Sequence, residues 1–111
     1  MFKRLRTAFL LGLVASTSSL AAAELVEFKL VIKDHRFQPA ELKVPAGQKI
    51  RLVVENHDAT PEEFESYSLN REKIVPGKGK IIVMVGPLKP GKYEFFGEFN
   101  MDTAQGVLIA Q

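Results

Sequence analysis

The chain has 111 residues, no cysteine and no tryptophan, with 15 Lys+Arg against 13 Asp+Glu. The missing thiol excludes disulfides, thiolate zinc sites, iron–sulfur clusters and cysteine catalysis. The small positive balance lies at the extreme N-terminus: Lys3, Arg4 and Arg6 stand where residues 1–23 carry no acid, which leaves 12 basic against 13 acidic residues beyond them. A chain so nearly neutral has neither the basic groove nor the basic tail of a nucleic-acid binder.

In chain order, Lys3 to Arg6 form a positive segment, Phe9 to Val14 an apolar one, and Ala21-Ala22-Ala23 a small-residue cleavage site. Together they predict a secretory signal over residues 1–23 and an exported, periplasmic domain over residues 24–111. The apolar stretch is too short to cross about 30 Å of hydrocarbon, so no transmembrane segment is expected after processing. The exported part, 88 residues by subtraction, suffices for one domain held by its apolar core.

Strand signals follow. Leu25 to Ile32 is rich in β-branched and aromatic residues. Phe37 to Val44 is extended around Pro39, which suits an edge or a bulge. Pro45-Ala46-Gly47 is a turn. Lys49 to Glu55 alternates, with Ile50, Leu52 and Val54 on one face. Asn56 to Pro61 is a loop, and Glu62 to Leu69 is less regular, anchored by Phe64 and Tyr67. Ile74 to Gly79 reads as a further turn. Lys80 to Val85 is a strand in which Met84 is expected in the core. Lys92 to Phe96 and Val107 to Ala110 complete the set. Seven or so short strands spaced by turns, without a helical period, predict an all-β sandwich or barrel.

The order of these pieces resembles the cupredoxin family. Phe37-x-Pro39-x-x-Leu42-x-Val44-Pro45-Ala46-Gly47 is similar to its early strand and turn, and Asn56 to Pro61 to the segment before its first copper histidine. Leu88-x-Pro90-Gly91-x-Tyr93-x-Phe95 is similar to the strand that delivers its copper cysteine, and Gly106 with the strand after it to its closing strand. The resemblance implies an all-β, cupredoxin-like Greek-key β-sandwich of about seven to eight strands over roughly residues 26–110. It places the first histidine at Glu62, the cysteine at Gly97, the second histidine at Asn100 and the axial methionine at Ala104. A type 1 centre needs two imidazoles, a thiolate and a weak axial ligand, so no blue-copper centre is expected.

Pro61-Glu62-Glu63-Phe64-Glu65-Ser66, Arg71-Glu72-Lys73, Phe96-Gly97-Glu98-Phe99 and Thr103-Ala104-x-Gly106 resemble a cupredoxin-like subgroup associated with bacterial iron uptake. That resemblance implies copper or iron handling beside a periplasmic iron-binding protein and an inner-membrane permease.

In this frame the metal candidates are Glu62, Glu65, Glu98 and Met101, with His57 and Asp102 beside them. Carboxylates suit hard divalent cations, a thioether suits Cu(I), and imidazole suits either copper or iron. With Phe64 facing inward, period-2 alternation puts Glu62 inward and Glu63 and Glu65 outward. Glu63 and Glu72 are read as solvated surface residues. Carboxylates that cluster without a cation should raise at least one pKa. Three functions stay open: a metal-binding accessory protein, a metal-free module that docks a transport partner, and a copper-dependent ferroxidase. Other enzyme signatures are absent.

Overall fold

The computed structural model describes residues 25–111. The expected signal over residues 1–23 lies outside them. Among the described residues no helix is long and apolar enough to cross a membrane.

Alternation along the chain builds nine strands in two facing sheets. The first sheet has four strands: β1 (Val26–Lys33), β2 (Arg36–Gln38), β4 (Ile50–Asn56) and β7 (Lys80–Val85), in the order β2-β1-β4-β7. The second has five: β3 (Glu41–Val44), β5 (Glu62–Ser66), β6 (Arg71–Val75), β8 (Gly91–Gly97) and β9 (Gln105–Ala110), in the order β3-β9-β8-β5-β6. A single 3-10 turn, Glu98–Asn100, joins β8 to the final loop.

Inward positions supply the core, including Leu30, Ile32, Leu52, Val54, Val83 and Leu108. At its centre Phe37, Phe64 and Phe95 pack together. Phe64 and Phe95 stack at 5.3 Å between centroids, and Phe37 meets Phe95 edge-on at 4.9 Å. Such pairs contribute roughly 0.5–1.5 kcal/mol beyond their burial. Gly106, the β9 partner of Phe95 in the ladder, leaves room for that ring: a Cβ there would meet Phe95 at 2.5 Å.

The all-β sandwich is as expected, with four differences in detail. The stretch around Pro39 is two edge strands, β2 and β3, in different sheets, because the chain changes sheet between them. Residues 67–70 form a turn, so β5 pairs with β6 (residues 71–75) in a hairpin, and Ile74 and Val75 are strand rather than turn. Tyr67 therefore points outward and is 79% exposed instead of anchoring the segment. Met84 is 42% exposed, because Val83 and Val85 take the inward positions of β7.

One further staple holds the pole near residue 57. The two-residue turn Asp34-His35 has φ of 53° and 57°, the left-handed geometry of a tight hairpin. Both of its backbone N–H groups donate to the Asp58 carboxylate, at 2.8 and 2.9 Å. The Thr103 hydroxyl donates to the His35 carbonyl at 2.6 Å, so β1–β2, the 57–61 loop and the final loop are linked.

Candidate functional site

Strand β5 carries the acidic run, and its pleat splits that run in two. Glu62, Phe64 and Ser66 are buried, whereas Glu63 and Glu65 face out.

Inside, Glu62 is 1% exposed. Its Oε1 accepts from the backbone N–H of Phe99 at 2.8 Å and from that of Glu63 at 2.9 Å. Its Oε2 accepts from Asn100 Nδ2 at 2.8 Å. Gly97 lies against this carboxylate. A Cβ at Gly97 would stand 2.5 Å from Glu62 Cδ and 2.7 Å from Ala104 Cβ. The backbone at Gly97 is extended, with φ −99° and ψ 112°, so glycine is required there for space and not for conformation. Gly97 N–H donates to the Ala104 carbonyl at 2.8 Å, which closes the loop. The four positions where the resemblance puts copper ligands thus do converge, but the Glu62 carboxylate fills the space between them.

The remaining candidates scatter around this pole. His57 is exposed, and its Nε2 lies 3.3 Å from Glu55 Oε1 on the other sheet. Lys29, whose Nζ is 3.0 Å from Glu55, and the His57 contact together hold the Glu55 pKa below the usual value. Asn56 locks the following loop: its Nδ2 donates to the carbonyls of Thr60 and Val75, and its Oδ1 accepts from Asp58 N–H. Met101 and Asp102 are exposed in the turn after the 3-10 segment.

Outside, the hairpin register sets Glu65 directly opposite Glu72. Glu63, Glu65 and Glu72 each present an oxygen within 4.8 Å of the others. Glu98 joins them, within hydrogen-bonding reach of Glu65. Partial desolvation, then the Glu98 contact and the charges of Glu98, Glu72 and Glu63, push Glu65 up to about 7. Desolvation, with Glu72, Glu98 and Glu62 nearby, also raises Glu63. The neighbouring cations do not relieve this crowding, because alternation turns them aside. Arg71 Nε donates to the Met84 carbonyl at 2.9 Å and Lys73 Nζ to the Ile82 carbonyl at 3.3 Å, capping the free edge of β7.

The structure therefore brings Glu65 and Glu98 together, and separates Glu62 from them. It adds Glu63 and Glu72, which the sequence alone left as solvated surface. The missed signal was the four-residue turn Tyr67-Ser68-Leu69-Asn70. Read as a hairpin turn, it pairs residues 66 with 71 and 65 with 72.

The model of the cupredoxin-like domain family matches residues 6–110. The chain belongs to that family. An uncharacterised protein of Rickettsia prowazekii (strain Madrid E) is 54% identical over 85 residues, covering 77% of this chain and 68% of that protein. Auracyanin A, a blue copper protein of the green thermophilic photosynthetic bacterium Chloroflexus aurantiacus, has a similar structure (TM-score 0.68, 15% identity), covering 79% of this chain and all of that one. A copper binding protein in the apo form is also similar (TM-score 0.69, 17% identity), covering 78% of this chain and 88% of that one. The purple cupredoxin of Nitrosopumilus maritimus has a TM-score of 0.58 at 13% identity, over 75% of this chain and 98% of that one. At these identities the likeness is one of fold.

The fold implies copper, so the pole must be tested against it. A type 1 centre requires a thiolate and two imidazoles, and this chain offers Glu62, Gly97, Asn100 and Ala104. Three N–H donors already take both oxygens of Glu62, and no side chain can be added at Gly97 without displacing it. The residues present do not fit a type 1 copper centre.

Proposed function

We propose that this protein is an exported, cupredoxin-fold accessory protein of transition-metal handling that binds a hard divalent cation, Fe(II) in first place, on its outer face. The observation that carries the reading is the group Glu63, Glu65 and Glu72, with oxygens within 4.8 Å of one another, and with Glu98 at its margin. An all-carboxylate set favours hard cations over Cu(I), which prefers thiolate and thioether. Mutual repulsion is relieved when a cation binds, and the raised Glu65 gives up its proton at that step. The site is open, as suits transient loading and hand-over. In this reading the protein acts in ferrous-iron uptake, handing its cation to an iron-binding periplasmic protein and an inner-membrane permease, the partners that its resemblance to the iron-uptake subgroup implies.

Isothermal titration of the whole mature chain with Fe(II) under anaerobic conditions, and with Mn(II) as a redox-silent probe, tests the reading. Wild type should bind with Kd below about 100 μM, equivalent to about −5.5 kcal/mol. Glu63→Gln/Glu65→Gln should weaken binding at least ten-fold, and His57→Ala should leave it unchanged. Absence of binding by wild type, or equal binding by the double variant, rejects it.

A second reading rests on a separate observation. The Glu62 bridge closes the copper pole, and Phe99 and Met101 are half-exposed beside it. A metal-free module would dock its transport partner through this rim. Partner capture that survives Glu63→Gln/Glu65→Gln but is lost in Phe99→Ser would favour this second reading.

A further inference from the structure

The two outer faces of the sandwich carry opposite charge. On the four-stranded sheet the outward positions of β1, β2, β4 and β7 include Lys29, Lys33, Arg36, Arg51 and Lys80 against Glu27 and Glu55. Ion pairs Lys29–Glu55 (3.0 Å) and Arg51–Glu27 (3.4 Å) neutralise two of the five cations. On the five-stranded sheet Glu41, Glu63, Glu65, Glu72, Glu94 and Glu98 face out against only Lys43 and Lys92. That face is therefore net negative, with six carboxyl groups against two ammonium groups.

An aromatic step crosses this acidic face. Phe96 lies between Glu65 and Gln105 in one ladder row. The exposed Tyr67 ring packs against it at 5.5 Å and 60°. A depression of about 380 Å³ lies against this pair, lined by Tyr67, Ser68, Lys92, Glu94 and Phe96. A second, of about 210 Å³, shares Glu94 and Phe96 with it and continues to Met101 and Gln105. The larger is a shallow trough on the β5 side of β8, and the smaller flanks it across Glu94 and Phe96 on the β9 side. The β8 residues from Lys92 to Phe96 span about 13 Å at the usual strand rise, the length of four extended residues.

We propose that this trough is a docking surface for an extended, Arg- or Lys-bearing peptide segment of a partner protein. A guanidinium or ammonium laid on the exposed Tyr67 ring beside Phe96 has Glu94 and Glu65 close by, so a cation–π contact and carboxylate attraction act on the same group. Lys92 closes the end away from the Glu63–Glu98 side. It favours an acceptor or carboxylate at that end of the segment, and so fixes its direction. Attraction by the whole face steers the approach, and falls off as salt shortens the Debye length to about 10 Å at 0.1 M. The surface borders the proposed metal group at Glu65, but Tyr67, Ser68, Lys92 and Glu94 stand outside that group, so a change at Tyr67 separates the two.

The test is an NMR and fluorescence-anisotropy titration of the chelator-treated mature chain with labelled (Gly-Arg)5, using (Gly-Glu)5 as the opposite-charge probe. The expected result is binding of the Arg peptide alone, with amide shifts at Tyr67, Glu94, Phe96 and Met101. Tyr67→Ala, at an exposed position, should weaken it about five-fold, the scale of one cation–π contact. Met84→Ala on the opposite face should not. Tyr67→Ala should also leave the Mn(II) titration unchanged, whatever that titration shows. Several results would overturn the proposal. These are shifts on the four-stranded sheet, Tyr67→Ala binding as tightly as wild type, or no binding of the Arg peptide. Concentration-dependent shifts on both faces without peptide would instead make a second copy of the chain the occupant, and would equally overturn it.

Discussion

Two carboxylates three positions apart on β5 meet opposite fates. Glu62 points into the sandwich, where three N–H donors converge on it and no room is left. Glu65, three positions on and on the other face, meets Glu72, Glu63 and Glu98, while the nearby Arg71 guanidinium donates to backbone carbonyls. The same side chain is a structural bridge in one place and an unsatisfied charge in the other. What separates them is the strand pleat and the neighbours it selects. The inner carboxylate cross-links β5 to the final loop, across the gap that copper ligands would span in the family's site. The outer carboxylates form an open set of oxygens, whereas the pole is closed by its bridge.

Removing the inner partner should have the largest effect. Glu62→Ala leaves the N–H groups of Phe99 and Glu63 and the amide of Asn100 without an acceptor in a partly buried site. At about 1–3 kcal/mol for each stranded donor, a loss on the order of 4 kcal/mol is expected, read as a fall in the urea midpoint. Glu62→Gln keeps the shape but turns an amide toward a donor, and should lose less, about 1–3 kcal/mol. If both variants match wild type, the bridge contributes nothing and the contrast between the two faces fails.

Next comes Gly97→Ala. The added methyl meets Glu62 Cδ at 2.5 Å and Ala104 Cβ at 2.7 Å, overpacking that typically costs about 1–3 kcal/mol. Thermal denaturation of the single variant and of Glu62→Ala/Gly97→Ala sharpens the comparison. If the clash is with the carboxylate, the double variant should be more stable than the sum of the two single losses implies. Strict additivity would mean that Gly97 and Glu62 do not compete for the same space.

The smallest effect lies on the outer face and appears in the pH dependence. Glu65 is raised from 4.5 to about 7 in the folded protein. Between those values the folded state holds a proton that the unfolded state has released, so stability falls as pH rises through that window. Glu65→Gln removes the titrating group, and its urea midpoint should change less with pH between 4.5 and 7 than that of wild type. A steeper dependence in the variant would contradict the placement of Glu65 among its three neighbours.

Much of this frame is legible in the sequence, because period-2 alternation writes the pleat directly. Ile50, Leu52 and Val54, or Phe64 between two glutamates, declare their faces without a structure. The inward turn of Glu62 and the rise of one carboxylate pKa follow from the same pattern. The pairing of Glu65 with Glu72 does not, because it depends on how residues 67–70 turn, and Tyr67 resembles an anchor until its neighbours are placed. Met84 misleads for a similar reason: in an unbroken apolar run such as Ile81 to Val85, composition does not say which residue faces in. The bridging role of Glu62 was hidden more deeply. It needs the Phe99 N–H, the Asn100 amide and the bare Gly97 backbone in one place, and only the closed sandwich brings these together.

The most direct test of the central claim is a paramagnetic NMR titration of the mature chain with substoichiometric Mn(II). The amide signals of Glu63, Glu65, Glu72 and Glu98 should broaden first, while those of His57, Gly97 and Ala104 stay sharp until they are reached by distance alone. Selective broadening at His57, Gly97 and Ala104, with the β5–β6 hairpin left sharp, would place the metal at the pole and contradict the account.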